Sequence, residues 1–115
     1  MDIGLYFDPI DLESLDFFTP NDHPQRLLNQ IWFTNTQEEV SLENMQIAIV
    51  GVPEARNASQ NDGSTFAPDE VRRELYKLYC WNKPVNIIDL GNLKIGKSVE
   101  DTYEALSEII AHLLE

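Results

Sequence analysis

The apolar and polar positions change character near residue 45, and the pattern is most regular downstream of it. From Gln46 the chain reads Gln-Ile-Ala-Ile-Val-Gly-Val-Pro, a continuous apolar run closed by Gly51 and Pro53. Such a run predicts a strand buried on both faces, as in parallel sheets. A polar stretch from Glu54 to Phe66 follows, and Ala67-Pro68-Asp69-Glu70-Val71-Arg72 then opens a helix. Pro68 suits the first helical position, while Asp69 and Glu70 set negative charge at the positive end of the helix dipole. Phe66 and Val71 have the spacing of a hydrophobic staple. Val71, Leu75, Leu78 and Tyr79 make one apolar face, and Asp69 and Arg73 are spaced to pair at i, i+4. The helix must stop before Asn82-Lys83-Pro84.

Val85-Asn86-Ile87-Ile88-Asp89-Leu90-Gly91 predicts a second short strand. Ser98 is a good cap for a last helix, with Asp101 three residues on as a variant of the capping box. Val99, Tyr103, Leu106, Ile110 and Leu113 follow at alternating spacings of four and three. The order strand, helix, strand, helix is a βαβα unit with a right-handed crossover. The fold class expected is α/β: a three-layer parallel-sheet fragment preceded by an arm of short helix and strand elements.

That arm is residues 1–45, expected to pack on the core formed by residues 46–115. Ile3-Gly4-Leu5-Tyr6-Phe7 predicts a short strand stopped by Asp8-Pro9. Leu12, Leu15 and Phe18 recur at helical spacing, and Pro24 suits the first turn of a second short helix carrying Leu27, Leu28, Ile31 and Trp32. Asp8, Asp11, Glu13 and Asp16 interleave with Leu and Phe, which is the wet face of packed elements and not a pair of catalytic carboxylates.

The loop after the first strand is the stretch where chemistry is expected. Open α/β sheets bind ligands outside the carboxyl ends of their strands, and a connection longer than ~12 residues is often functional. Asn57, Ser59, Asn61, Asp62 and Ser64 carry amides, hydroxyls and a carboxylate suited to hydrogen-bonding a substrate, although the same residue types build ordinary solvated turns. The loop lacks the glycine spacing and lysine of a phosphate-binding loop, and Pro53 removes an amide where a dinucleotide phosphate needs donors. Arg72 is within reach of a ligand beyond the helix, but a pairing with an acidic residue of the N-terminal arm is the simpler role. His23 in a turn-like context and His112 on an amphipathic helix make no metal site by themselves, and Cys80 beside Trp81 reads as a packed thiol.

Composition narrows the partners. The 115 residues carry a formal net charge of −12, which argues against a nucleic-acid partner. No apolar stretch approaches the ~20 residues needed to cross a bilayer, so no membrane partner is expected. A single cysteine precludes an intrachain disulfide and fits a cytoplasmic location, which makes the sequon Asn57-Ala58-Ser59 a chance match.

Taken together, Ile-Val-Gly-Val-Pro, a long loop with Gly63, and Ala-Pro-Asp-Glu-Val-Arg resemble the opening of the ureohydrolases, the arginase, agmatinase and formimidoylglutamase group. Gly51, Pro53, Gly63, Pro68, Val71 and Arg72 fall on the positions of the family's opening motifs, and Asp89-Leu90-Gly91 matches its Asp-x-Gly. Ala67 stands where Gly is usual and Asn92 where Asp is usual. The resemblance covers residues 46–115, and the arm adds a loose likeness to formimidoylglutamase-like proteins. It implies hydrolysis of a linear amidine or guanidine, with two manganese ions (Mn2+) activating a bridging water. The metal ligands implied by the family, in Gly-Gly-x-His, Asp-Ala-His-x-Asp and Asp-x-Asp motifs, have no counterpart in this sequence. The expectation is therefore an N-terminal portion that shapes one wall of the active-site cleft and is inactive alone, with no catalytic residue, metal or cofactor of its own.

The last apolar positions reach Leu114 without a capping glycine, and two parallel strands alone make a poor fold, which supports the reading as a fragment. The alternatives are an inactive homologue and a small non-catalytic α/β protein-interaction module. In either case Ile47 to Val50 at an exposed sheet edge predicts a homo-oligomer.

Overall fold

The computed structural model describes residues 3–11, 30–34, 40–56, 65–78 and 85–114. A 3-10 helix over Ile3–Tyr6 leads into strand β1 (Phe7–Asp8), followed by β2 (Ile31–Phe33), β3 (Ile47–Gly51), helix α1 (Ala67–Leu75), β4 (Ile87–Leu93) and helix α2 (Val99–Leu113). The four strands form one mixed sheet in which β4 pairs with every other strand. β2 and β3 run parallel to it and β1 antiparallel. Ile87 pairs with both Ile31 and Ile47, and Asn92 with both Asp8 and Gly51. β1 and β2 therefore follow one another along one edge of β4, and β3 holds the other edge.

This position explains the burial. Six of the seven residues of β4 are buried, whereas β3 runs from exposed Ile47 and Ala48 to buried Gly51. The expectation that β3 is covered on both faces is corrected: that environment belongs to β4, which has strands on both sides. Ile88, Leu90 and Leu93 join Ile3, Phe7 and Ile109 in one core cluster, while Ile87 joins Ile31 and Tyr76 in a second. Alternating residues of a strand face opposite sides, so α2 covers one face of the sheet and α1 the other. The result is an α/β sandwich of helix, sheet and helix. The core residues Ile3 and Phe7 come from the amino-terminal segment.

Several local expectations are corrected. Ile3–Tyr6 is a 3-10 helix, and only Phe7–Asp8 pairs as a strand. Ile31 and Trp32 lie in β2, not in a helix, because the aromatic and β-branched triplet Ile-Trp-Phe finds open backbone partners on β4 and buries Ile31 while Trp32 faces outward. Leu12, Leu15, Phe18, Leu27 and Leu28 lie outside the described residues.

The predicted helix faces hold in part: Leu75 in α1 and Val99, Leu106 and Leu113 in α2 turn to the core, and other positions do not. In α1 and the turn after it, Val71 is 60% exposed and Leu78 58%, while Arg72 and Tyr76 turn inward. Phe66 is the N-cap and is 67% exposed, so the pair Phe66 and Val71 buries no staple. Pro68 falls in the first turn behind Ala67. In α2, Ser98 caps as expected by accepting from the Asp101 backbone N–H at 3.2 Å. Val99, Thr102 and Ile109 are its buried residues, however, with Tyr103 and Ile110 exposed. In each helix a polar residue with a specific partner displaced an apolar one from the inward face.

Candidate functional site

The carboxyl ends of β3 and β4 meet the start of α1 at a buried polar cluster centred on Arg72 and Asp89. The local cause is a break in register. Ile49 pairs with Asp89 and Gly51 with Asn92, so β3 advances two residues where β4 advances three. The extra residue is a β-bulge at Leu90-Gly91. Residues three apart on a regular strand point to opposite faces, but the bulge turns Asp89 and Asn92 to the same side. Gly91 adopts φ 92°, a left-handed conformation costly for other residues, and a Cβ there would collide with the Asp8 carbonyl.

Arg72 fills this corner with all five of its N–H groups engaged. Nε donates to Asp89 Oδ2 at 2.9 Å and Nη2 to Asp89 Oδ1 at 3.1 Å, a bidentate pair. Nη2 also donates to the Gly91 carbonyl at 3.0 Å, and Nη1 to Asp69 Oδ1 at 3.2 Å and to Asn92 Oδ1. Asp89 accepts in addition from the Gly91 backbone N–H at 2.9 Å and from the Tyr76 hydroxyl. Asn92 Nδ2 closes the ring by donating to Asp69 Oδ1 at 3.2 Å. The side chains of Arg72 and Asp89 are 3% and 0% exposed. Burial works against the Arg72 charge, but the hydrogen bonds and charge of Asp89 outweigh it and raise its pKa. Burial, reinforced by the Asp89 carboxylate, pushes the Tyr76 phenol well above its usual value.

Gly51 is what lets the cluster close. A Cβ at this position would overlap Asn92 Oδ1 and stand 2.9 Å from Pro68 Cβ and 3.0 Å from Arg72 Nη1. Four motif positions picked out in the sequence, Gly51, Arg72, Asp89 and Gly91, thus converge on one corner, with Pro68 against it. Pro53 lies just past the end of β3. The expected partner of Arg72 is corrected: its carboxylates are Asp89 and Asp69, not acids of the amino-terminal arm, because the helix turns it onto β4. It is equally removed from a ligand-reaching role, being buried and fully occupied.

A second polar cluster holds the chain as it leaves β3. Arg56 and Glu54 form a two-pronged ion pair, and Arg56 also donates to the carbonyls of Lys97 and Gly96, both at 2.9 Å. Thr102 donates to Glu54 Oε1 at 2.8 Å and accepts from the Gly96 backbone N–H at 2.8 Å. The hydrogen bonds from Arg56 hold the Glu54 carboxyl down to about 2.

Sequence reasoning missed Tyr76, Asn92, Glu54, Arg56 and Thr102 as members of these clusters. A signal existed for Tyr76: its partner Asp89 is a lone charge in the apolar run Ile-Ile-Asp-Leu, and a buried carboxylate demands cationic and hydroxyl partners. The predicted loop residues Asn57, Ser59, Asn61, Asp62 and Ser64, together with Gly63, His23 and Cys80, lie outside the described residues. His112 is half-buried near the carboxyl end of α2.

The donors among the described residues do not fit the two manganese ions that the resemblance implies. Among the described residues no group of three or more His, Cys, Asp or Glu is arranged to hold a metal ion. Asp89, the buried carboxylate of this corner, has its oxygens committed to Arg72, Tyr76 and Gly91. Among the same residues no helix is long and apolar enough to cross a membrane.

Fold and site define an α/β sheet protein with a reinforced corner at its strand carboxyl ends. The chain matches the arginase family over residues 45–115 and belongs to that family. No curated protein and no solved structure matches it significantly.

Proposed function

We propose that this chain is the front part of a metal-dependent hydrolase of linear amidines or guanidines and builds one wall of its active-site cleft. Membership of the arginase family over residues 45–115 carries the reading. The buried corner of Gly51, Arg72, Asp89 and Gly91 supports it, because a rigid carboxyl edge is what a ligand cleft in such a sheet requires. In this reading the corner positions and does not react. Substrate contact falls to Asn57, Ser59, Asn61, Asp62 and Ser64, and the two Mn2+ ions and the catalytic groups come from outside these 115 residues. The formimidoylglutamase branch is proposed on the long amino-terminal arm, and a cytoplasmic location on the single cysteine.

The experiment is an assay of the product of the whole reading frame, loaded with Mn2+, for release of ammonia, urea or formamide from formimidoylglutamate, arginine and agmatine. Turnover of one of these by the whole product, and of none by the 115 residues alone, is the expected result. A whole product inert towards all three overturns the reading.

A second reading is favoured by one observation. Among the described residues the outer edge of β3 pairs with no strand, Ile47 and Ala48 are exposed, and beside them a groove of about 420 Å³ is lined by Leu42, Met45, Ile110 and Leu113. A bare apolar edge recruits other chains. On this basis the chain acts as a non-catalytic interaction module, or an inactive homologue, that self-associates through β3. Light scattering at tens of micromolar tests the self-association, which is expected under the first reading as well, and a clean monomer removes it.

A further inference from the structure

The cluster around Arg56 joins two parts of the chain that the strand order alone leaves independent. Glu54 and Arg56 lie on the connection leaving β3, while Gly96 and Lys97 lie on the connection from β4 into α2 and Thr102 lies in the first turns of α2. Both connections leave the carboxyl edge of the sheet, because β3 and β4 are parallel. Arg56 spans the gap with donors in three directions. Nε and Nη2 grip Glu54, Nη1 reaches the Lys97 carbonyl, and Nη2 reaches the Gly96 carbonyl and, at 3.3 Å, Thr102 Oγ1.

The remaining atoms complete a closed circuit. The Arg56 backbone N–H donates to Glu54 Oε2 at 3.2 Å, which ties the local turn to the carboxylate. Thr102 is fully buried, and its hydroxyl both donates to Glu54 and accepts from the Gly96 N–H. The Glu54 side chain is 2% exposed although it stands on an outgoing connection. A carboxylate is removed from water only where its partners replace the lost hydration. Five hydrogen bonds from the Arg56 side chain to three separate segments go far beyond what a surface ion pair needs.

We infer that Arg56 is a positioning residue: with Glu54 and Thr102 it locks the connections after β3 and β4 into one rigid rim at the carboxyl edge of the sheet. Resting on the reading of this edge as a cleft wall, the inference assigns Arg56 the task of fixing where the chain enters the substrate-facing loop. The guanidinium is required for its fork. Lysine carries its three donors on a single nitrogen and lacks the planar fork that grips both carboxylate oxygens while reaching two carbonyls on another segment.

Residue-resolved amide exchange on the wild-type protein and on Arg56→Gln, Thr102→Val and Thr102→Ser tests the lock. The informative amide is the Gly96 N–H, whose acceptor is Thr102 Oγ1 and not Arg56, although the Gly96 carbonyl accepts from Arg56. In Arg56→Gln, exchange at Arg56-adjacent amides and at Gly96 should rise together, on the order of tenfold, with Ile88 and Leu90 unchanged. Thr102→Val should raise both sets as well, and Thr102→Ser, which keeps the hydroxyl, should leave both near wild type. A rise confined to residues 54–56 overturns the lock, and so does a rise that extends equally through β4, which would make Arg56 a general stability residue. The kinetic arm is separate. In the whole reading-frame product, Arg56→Gln should raise KM several-fold with kcat little changed. Coupled exchange with an unmoved KM keeps the lock and removes the cleft-wall assignment of the rim.

Discussion

Two arginine–carboxylate pairs sit about the same sheet edge and are built on opposite terms. Arg72 and Asp89 are both almost wholly removed from water, on a helix and the central strand, and seventeen residues separate them. Arg56 and Glu54 are two residues apart on one connection, and the Arg56 side chain is 38% exposed. A buried ion pair contributes less than its Coulomb energy suggests, because desolvation opposes it. Its effect is to permit one arrangement only. Five donors of Arg72 meet five acceptors, and any other rotation of α1 would strand a charge in the core. In the outer pair the Glu54 carboxylate is withdrawn from water but Arg56 stays partly exposed, so the penalty is smaller, and the geometric role of the pair is to bridge segments. The inner pair therefore governs whether the corner forms at all, and the outer pair governs how firmly the connections beyond it are held.

The comparison is sharpest where one partner of the inner pair is removed. Arg72→Ala or Asp89→Ala leaves a buried, uncompensated charge and should cost about 3–5 kcal/mol in urea unfolding. The double substitution Arg72→Met with Asp89→Leu should recover a good part of that loss, because the orphaned charge is gone. If the double variant is no more stable than either single one, the cost lies in lost packing and not in the unpaired charge.

Gly91→Ala comes next. It forces a Cβ onto a residue at φ 92° and against the Asp8 carbonyl, so a loss of about 1–3 kcal/mol is expected. Equal stability to wild type, measured by denaturant, would mean that β1 moves aside freely.

Tyr76→Phe removes a single hydroxyl from Asp89 while retaining the ring that packs edge-on to Phe33 at 5.9 Å. The expected loss is about 1–3 kcal/mol. The Tyr76 phenol has a raised pKa in the folded state, so the folded protein holds this proton longer than the unfolded chain does. Stability from Tyr76 is complete below the ordinary value of 10.0 and declines as pH rises above it. Tyr76→Phe should flatten that alkaline decline in thermal melts, and an unchanged decline would refute the assignment.

The smallest effect belongs to the outer pair and appears at the other end of the pH scale. Glu54 is held down to about 2 from an ordinary 4.5, so the folded state favours its ionised form. The contribution is present above pH 4.5 and is lost as pH falls towards 2. Arg56→Gln removes this contribution where it is present, so it should lower the neutral-pH melting temperature modestly and weaken the acid dependence. A large fall at neutral pH would instead place the outer pair alongside the inner one.

Much of the fold was legible because it depends on local chemistry. The strand–helix–strand–helix order from Ile47 onward, the Ser98 cap and the α/β class all follow from apolar runs, proline positions and a capping hydroxyl, which act within a few residues. Gly51, Arg72, Asp89 and Gly91 were legible too, as motif positions, though without the reason that unites them. Three things were out of reach. β2 was read as helix because Ile31 and Trp32 fit either period over so short a stretch, and only the open edge of β4 decides for a strand. The inward faces of α1 and α2 were read from apolar periodicity, which cannot anticipate that Arg72 and Thr102 outrank Val71 and Tyr103 once a buried carboxylate waits opposite. The bulge at Leu90-Gly91, which turns Asp89 and Asn92 to one side, exists only as a mismatch between two strands.

The sequence by itself therefore determined the elements from Ile47 onward, their order and the residues that mark the carboxyl edge, since propensity, capping and proline geometry are properties of short segments. The tertiary structure alone decided which strand is central, which way each helix turns and which charges meet. Those outcomes depend on removing ionised groups from water, and a buried charge is tolerated only where partners from distant parts of the chain arrive together.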